Sequence, residues 1–135
     1  MKAVADTNVI AYYLLRTEPF FDRIREFWRA ARKVLAPDSW RVELLNVLWL
    51  AVRAGVIRPA EAEMRLRWAE RLVTRTCPLN HLRSAALRLS LEYDHPACDT
   101  VFVALAVGEG CALVTFDERL LSRFPDHACR PEDLL

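Results

Sequence analysis

Short apolar runs spaced between helix-like segments constrain this chain more than any other feature. Lys2–Ala5, Val34–Ala36 and "CALVT" at 111–115 are continuously apolar or nearly so, too short for helices, and separated by stretches with helical periodicity. A strand with no polar alternation is apolar on both faces, so both faces need cover, and alternation with helices supplies it through parallel crossovers. Arg75–Leu79 and "HACR" at 127–130 read as weaker strands. The expected class is therefore α/β: one three-layer α/β/α domain around a short central parallel sheet. With 135 residues, 53% of them hydrophobic, a single domain over 1–135 uses the whole chain.

Helices are expected over about Asn8–Leu15, and from an N-cap at Thr17 through "EPFFDRIREFWRAARK", with Pro19 in the first turn. A third, capped by Asp38 or Ser39 and running to Arg53, is apolar on nearly all sides and reads as buried. A fourth starts at Pro59, with Ala62, Leu66, Ala69 and Val73 as its core stripe and Arg67, Arg71 and Arg75 on a solvated face. Asn80–Tyr93, Asp99–Val107 and Glu118–Arg123 complete the set. The only glycines, Gly55, Gly108 and Gly110, each follow a helical pattern where a C-cap glycine belongs. None is left to cradle a phosphate, which excludes P-loop and dinucleotide-binding chemistry.

The longest uncharged apolar stretch, Leu44–Val52, is well short of a membrane span, and Asp6 interrupts the N-terminus, so a cytoplasmic location is expected. Cys77, Cys98, Cys111 and Cys129 form no CxxC pair and read as buried, reduced thiols. Trp28, Trp40, Trp49 and Trp68 read mainly as core, with enough large apolar side chains left over for a partner surface. A net charge of +1 gives no global attraction to nucleic acid.

Four acids stand out against this apolar background. Asp6 follows the first strand, Asp117 follows "LVTF", Asp99 precedes the apolar "TVFVALAV", and Glu43 is embedded in "WRVELLNVLWLAV". Each aspartate also stands at an expected helix start, where capping explains it. Arg41 or Arg53 are the candidate partners for Glu43. Jointly, though, the acids fall at the carboxyl edge of the expected sheet, where such folds bind ligands. Close carboxylates repel by about 4 kcal/mol per pair at an effective dielectric near 20, so a cation must hold them or their pKa values must rise. No lysine lies nearby, and His81, His95 and His127 show no ligand spacing with the acids. Hard oxygen donors alone select Mg²⁺ or Mn²⁺.

These residues carry a resemblance to the PIN-domain nucleases, most closely the VapC-type toxins of toxin–antitoxin pairs, from Met1 to about Leu121. "VADTNVI" resembles the opening strand with its first acid, Asp6, and "ELLNVL" the helix that carries Glu43, with Asn46 one turn on. "CDTVFVALA" is similar to the family's "YDxxFxALA" and supplies Asp99, while "LVTFDERL" is similar to "TxDxxL" and supplies Asp117 with Thr115 in support. The usual tyrosine before the third acid is Cys98 here; Tyr93-Asp94 offers a competing "YD", but Pro96 breaks a helix there.

The resemblance implies an endoribonuclease with Asp6, Glu43, Asp99 and Asp117 as metal-binding and catalytic residues. It also implies a homodimer and a cognate antitoxin. Asn8 and Thr115 are expected to support the site, and Arg41 to contact RNA if it flanks the acids. A PIN-like domain that binds RNA or a partner without turnover is an alternative. A phosphatase with Asp6 as nucleophile is less well supported, since Asn8 stands where such enzymes place a second acid.

Overall fold

A computed structural model describes all of residues 1–135. One five-stranded sheet runs through the molecule: β1 (Lys2–Ala5), β2 (Lys33–Pro37), β3 (Arg75–Cys77), β4 (Ala112–Val114) and β5 (Ala128–Cys129). The strand order is β3-β2-β1-β4-β5 and every pairing is parallel. Seven helices cover it: α1 (Thr7–Leu15), α2 (Phe21–Ala30), α3 (Trp40–Arg53), α4 (Pro59–Leu72), α5 (Arg83–Tyr93), α6 (Ala97–Glu109) and α7 (Glu118–Arg123). No helix is long and apolar enough to cross a membrane.

The continuous apolar runs become inner strands for the reason anticipated. Ala3, Val4, Leu35, Leu113 and Val114 are wholly inaccessible, and the core extends from them to Ile10, Phe27, Leu44, Phe102 and Leu120 on the covering helices. The chain winds outward from β1 through β2 to β3, then returns to place β4 on the other side of β1. Strand order thus reverses between β1 and β4, and the crevice at their carboxyl ends is where an open α/β sheet accepts ligands.

Several expectations are corrected in detail. α2 begins at Phe21, not just after Thr17, because Thr17–Phe20 is spent on a turn in which the Thr17 N–H donates to Tyr12 O at 2.9 Å. α5 begins at Arg83, after a single 3-10 turn at Leu79–His81. Gly108 lies inside α6, whereas Gly110 is the C-cap with φ +64°. All four cysteines are free, but Cys98 is exposed and the others are half-buried rather than buried. α3 buries only Trp40, Leu44, Leu48 and Ala51. α3 packs on α1 and α4, which cover only one side of it, so Val42, Leu45, Trp49 and Leu50 stay exposed, as does Trp68 on α4.

Candidate metal centre

Because β1 and β4 pair with Ala5 opposite Val114, the residues that leave them do so side by side. The Asp6 N–H adds one more rung, donating to Val114 O at 2.9 Å, before the chain turns into α1. Thr115 is fully buried, donates from Oγ1 to Asp6 Oδ2 at 2.7 Å, and accepts from the Asp117 N–H at 3.0 Å. Asn8 spans the same gap, its Oδ1 accepting from the Phe116 N–H at 3.3 Å while its Nδ2 lies 3.4 Å from both Asp6 Oδ2 and Thr115 Oγ1. These contacts lock the acid of the first strand to the segment that carries the acid after the fourth.

Capping accounts for part of two of these acids. Asp6 Oδ1 accepts from the Thr7 N–H at 2.8 Å, and Asp117 Oδ1 from the Arg119 and Leu120 N–H groups at 2.8 and 3.2 Å. In each case the cap uses a single oxygen. Asp99 does not cap at all: Pro96 is the N-cap of α6, and Asp99 sits within the first turn with Oδ2 2.8 Å from His95 Nε2. That pairing, four residues apart in sequence, escaped the sequence reading, although a His at i−4 from an acid is a legible signal.

Glu43 is half-buried, and its Oε1 is buried without a hydrogen bond. The Ser39 and Thr7 hydroxyls lie near enough to lower its pKa, yet neither closes a well-formed bond, and both are themselves buried and unpaired. Neither arginine named from the sequence serves it. Arg53 lies over the Trp49 ring, and Arg41 pairs with Glu70 at 2.8 Å and Asp38 at 2.5 Å. Two residues along a helix turn the side chain about 200°, so Arg41 points away from Glu43 and is not among the residues lining the acidic cleft. Arg41→Ala is therefore expected to cost at most about 1 kcal/mol in chemical denaturation, as exposed pairs do, and to leave metal binding at the cleft unchanged in a titration.

Asp6, Glu43, Asp99 and Asp117 all line one cleft of about 360 Å³, with Thr7, Asn8, Ala11, Tyr12, Asn46 and Val47. No lysine or arginine is among the lining residues. Uncompensated charge then appears as proton affinity. Burial is the main cause that pushes Asp6 up to about 6, with the Asp99 and Asp117 charges adding to it against the hydrogen bonds from Thr115 and Thr7. Burial, then the Asp6 charge, pushes Glu43 up to about 7.

In their resting rotamers no three acidic, histidine or cysteine side chains stand close enough to grip one ion. Each aspartate is held by local partners, on Thr7 and Thr115, on His95, or on the start of α7. The donor set nonetheless fits Mg²⁺ or Mn²⁺: only hard oxygens, an unpaired buried carboxylate oxygen on Glu43, and no cationic side chain to compete.

The model of the family described as "PIN domain" matches residues 3–126. Ribonuclease VapC3 of Pyrobaculum aerophilum is 29% identical over 130 residues, which span 93% of this chain and 96% of that protein. A crystal structure of another protein from Pyrobaculum aerophilum superposes with a TM-score of 0.73 at 20% identity, covering 99% of this chain and 86% of that one. A toxin–antitoxin complex from Klebsiella pneumoniae gives 0.70 at 18% identity, covering 96% and 97%. With the family model matched over residues 3–126, nearly the whole chain, the protein belongs to the PIN domain family.

Proposed function

We propose that the protein is a divalent-metal-dependent endoribonuclease and the toxin of a toxin–antitoxin pair. The observation that carries the reading is the cleft itself, lined by four carboxylates, from the end of β1, from α3, from α6 and from the start of α7, and by no cationic side chain. The similarity to a protein named as a ribonuclease, and the likeness of fold to a toxin–antitoxin complex, support it. Asp6, Glu43 and Asp99 would hold Mg²⁺ or Mn²⁺, with Asp117 binding directly or through water. When bound, such an ion acidifies water and neutralises charge that builds on the phosphate.

The chain's own residues do the positioning. Thr115 and Asn8 fix Asp6 in one orientation, so the carboxylate need not be ordered when substrate arrives. Asn46, exposed at the cleft one turn beyond Glu43, offers a carboxamide to a phosphate oxygen of the RNA. The exposed apolar side chains of α3 and α4, Val42, Leu45, Trp49, Met64 and Trp68 among them, provide a surface for a second copy of the chain or for the antitoxin.

The test is cleavage of RNA by purified protein with Mg²⁺ or Mn²⁺, with EDTA, and by Asp6→Asn. Cleavage is expected with metal only, and the variant is expected to lose at least about 100-fold in rate, as removal of one charge-stabilising group does elsewhere. Turnover that survives EDTA, or an Asp6→Asn protein as active as its parent, would refute the assignment.

A further inference from the structure

His95 is the one buried histidine, its side chain wholly inaccessible, and the reading of the cleft given above leaves it without a role. Its Nε2 lies 2.8 Å from Asp99 Oδ2. An ionised carboxylate only accepts, so Nε2 carries the proton and donates. Nδ1 is buried with no partner. A bare polar atom in the interior is destabilising, and an apolar ring of similar shape would fill the place without that cost. Packing alone therefore does not account for a histidine here.

The surroundings hold the ring still. It meets Phe124 edge-on, centroids 5.6 Å apart at 82°, and Phe124 also packs against Tyr93 at 4.8 Å. Arg123 donates to the carbonyls of Tyr93 and Asp94, clasping the turn that carries His95 to the end of α7. α7 is the helix that Asp117 caps. One small brace thus supports two of the four cleft acids, Asp99 through His95 and Asp117 through the helix start.

We infer that His95 is a positioning residue for the metal centre: by donating from Nε2 to Asp99 Oδ2 it fixes the carboxylate so that Oδ1 is presented to the divalent cation. The inference rests on the metal-dependent reading proposed above. Partners of this kind set the orientation of a ligand and raise its basicity, and their loss typically weakens metal binding about 10–100-fold.

The experiment is calorimetric titration of Mn²⁺ into the full-length wild type, Asp6→Asn, His95→Phe and His95→Gln, each with a thermal melt alongside. His95→Phe, which keeps a ring against Phe124 and removes the unpaired nitrogen, is expected to melt no lower than the wild type yet bind Mn²⁺ about 10–100-fold more weakly. His95→Gln, whose amide can still donate, is expected to regain part of the loss. A purely structural histidine would change the melt and not the titration. Wild-type Mn²⁺ affinity in His95→Phe overturns the inference while leaving the metal centre standing. Failure of the wild type to bind Mn²⁺, or equal binding by Asp6→Asn, refutes the metal reading instead. Should His95→Phe not melt cooperatively, His95→Asn, whose shorter amide falls short of Asp99, returns the same two answers.

Discussion

Between pH 4 and pH 8 the metal-free Asp6→Asn protein is expected to gain about 2–3 kcal/mol of stability relative to its parent, while cleavage of RNA is lost. The folded chain lifts the Asp6 pKa from 3.8 to about 6. At about 1.4 kcal/mol per pH unit, ionising that carboxyl in the folded state is unfavourable by the stated amount. A group with a raised folded pKa binds more protons folded than unfolded, so its penalty is absent below 3.8, grows as pH rises, and is complete above about 6. Glu43, raised from 4.5 to about 7, adds a second penalty of the same sign. Glu61 and Glu70 are shifted downward by Arg58 and Arg41 and act in the opposite sense, but on the exposed surface where salt and water screen them.

Asparagine is also a good N-cap, so the bond from the Thr7 N–H survives. Its NH₂ in place of Oδ2 cannot accept from Thr115 Oγ1, a loss that is the same at every pH, so the change in the difference between pH 4 and pH 8 isolates the charge. Urea denaturation of both proteins in EDTA at pH 4, 6 and 8 measures the difference. A difference that stays constant from pH 4 to pH 8, or that shifts in favour of the parent as pH rises, would contradict the account. The carboxylates needed for metal chemistry would then not be the ones that destabilise the fold.

How much of this was legible beforehand differs between sheet and site. The inner strands β1, β2 and β4 are visible because continuous apolar runs of three to five residues leave few alternatives, and their parallel pairing follows from the helices between them. Asp6 and Asp117 could be placed together because Asp6 directly follows β1 and Asp117 stands three residues beyond β4, and adjacent parallel strands deliver the residues that follow them to the same edge. Asp99 and Glu43 sit on helices, where sequence periodicity says which face is apolar but not which way that face is turned. Their convergence was inferred from the resemblance and from the cost of burying a carboxylate. The exposure of half of α3 departs from the expectation for the same reason: an apolar helix looks buried in sequence, and only the number of neighbours decides it. His95 escapes notice because the sequence reading weighs the histidines only as metal ligands, whereas this one bonds the carboxylate of Asp99, one of the four acids.

Affinity for Mn²⁺ is expected to rise about a thousandfold between pH 5 and pH 8. A cation that occupies the cleft must displace whatever protons the acids carry there, and at pH 5 both Asp6, at about 6, and Glu43, at about 7, are largely protonated. Each proton displaced steepens binding by up to about tenfold per pH unit, so two are lost per ion below pH 6, one between 6 and 7, and none well above 7. Proton release counted by calorimetry in buffers of different ionisation enthalpy should follow those steps. Burial makes the metal-free carboxylates unfavourable and, by the same low dielectric, strengthens their attraction to a dication, in a cleft that has no lysine or arginine of its own. At saturating Mn²⁺ this contribution to the pH dependence of RNA cleavage should vanish, and at low Mn²⁺ it should dominate. A Mn²⁺ affinity that is flat from pH 5 to pH 8 would mean that the ion binds where Asp6 and Glu43 are not.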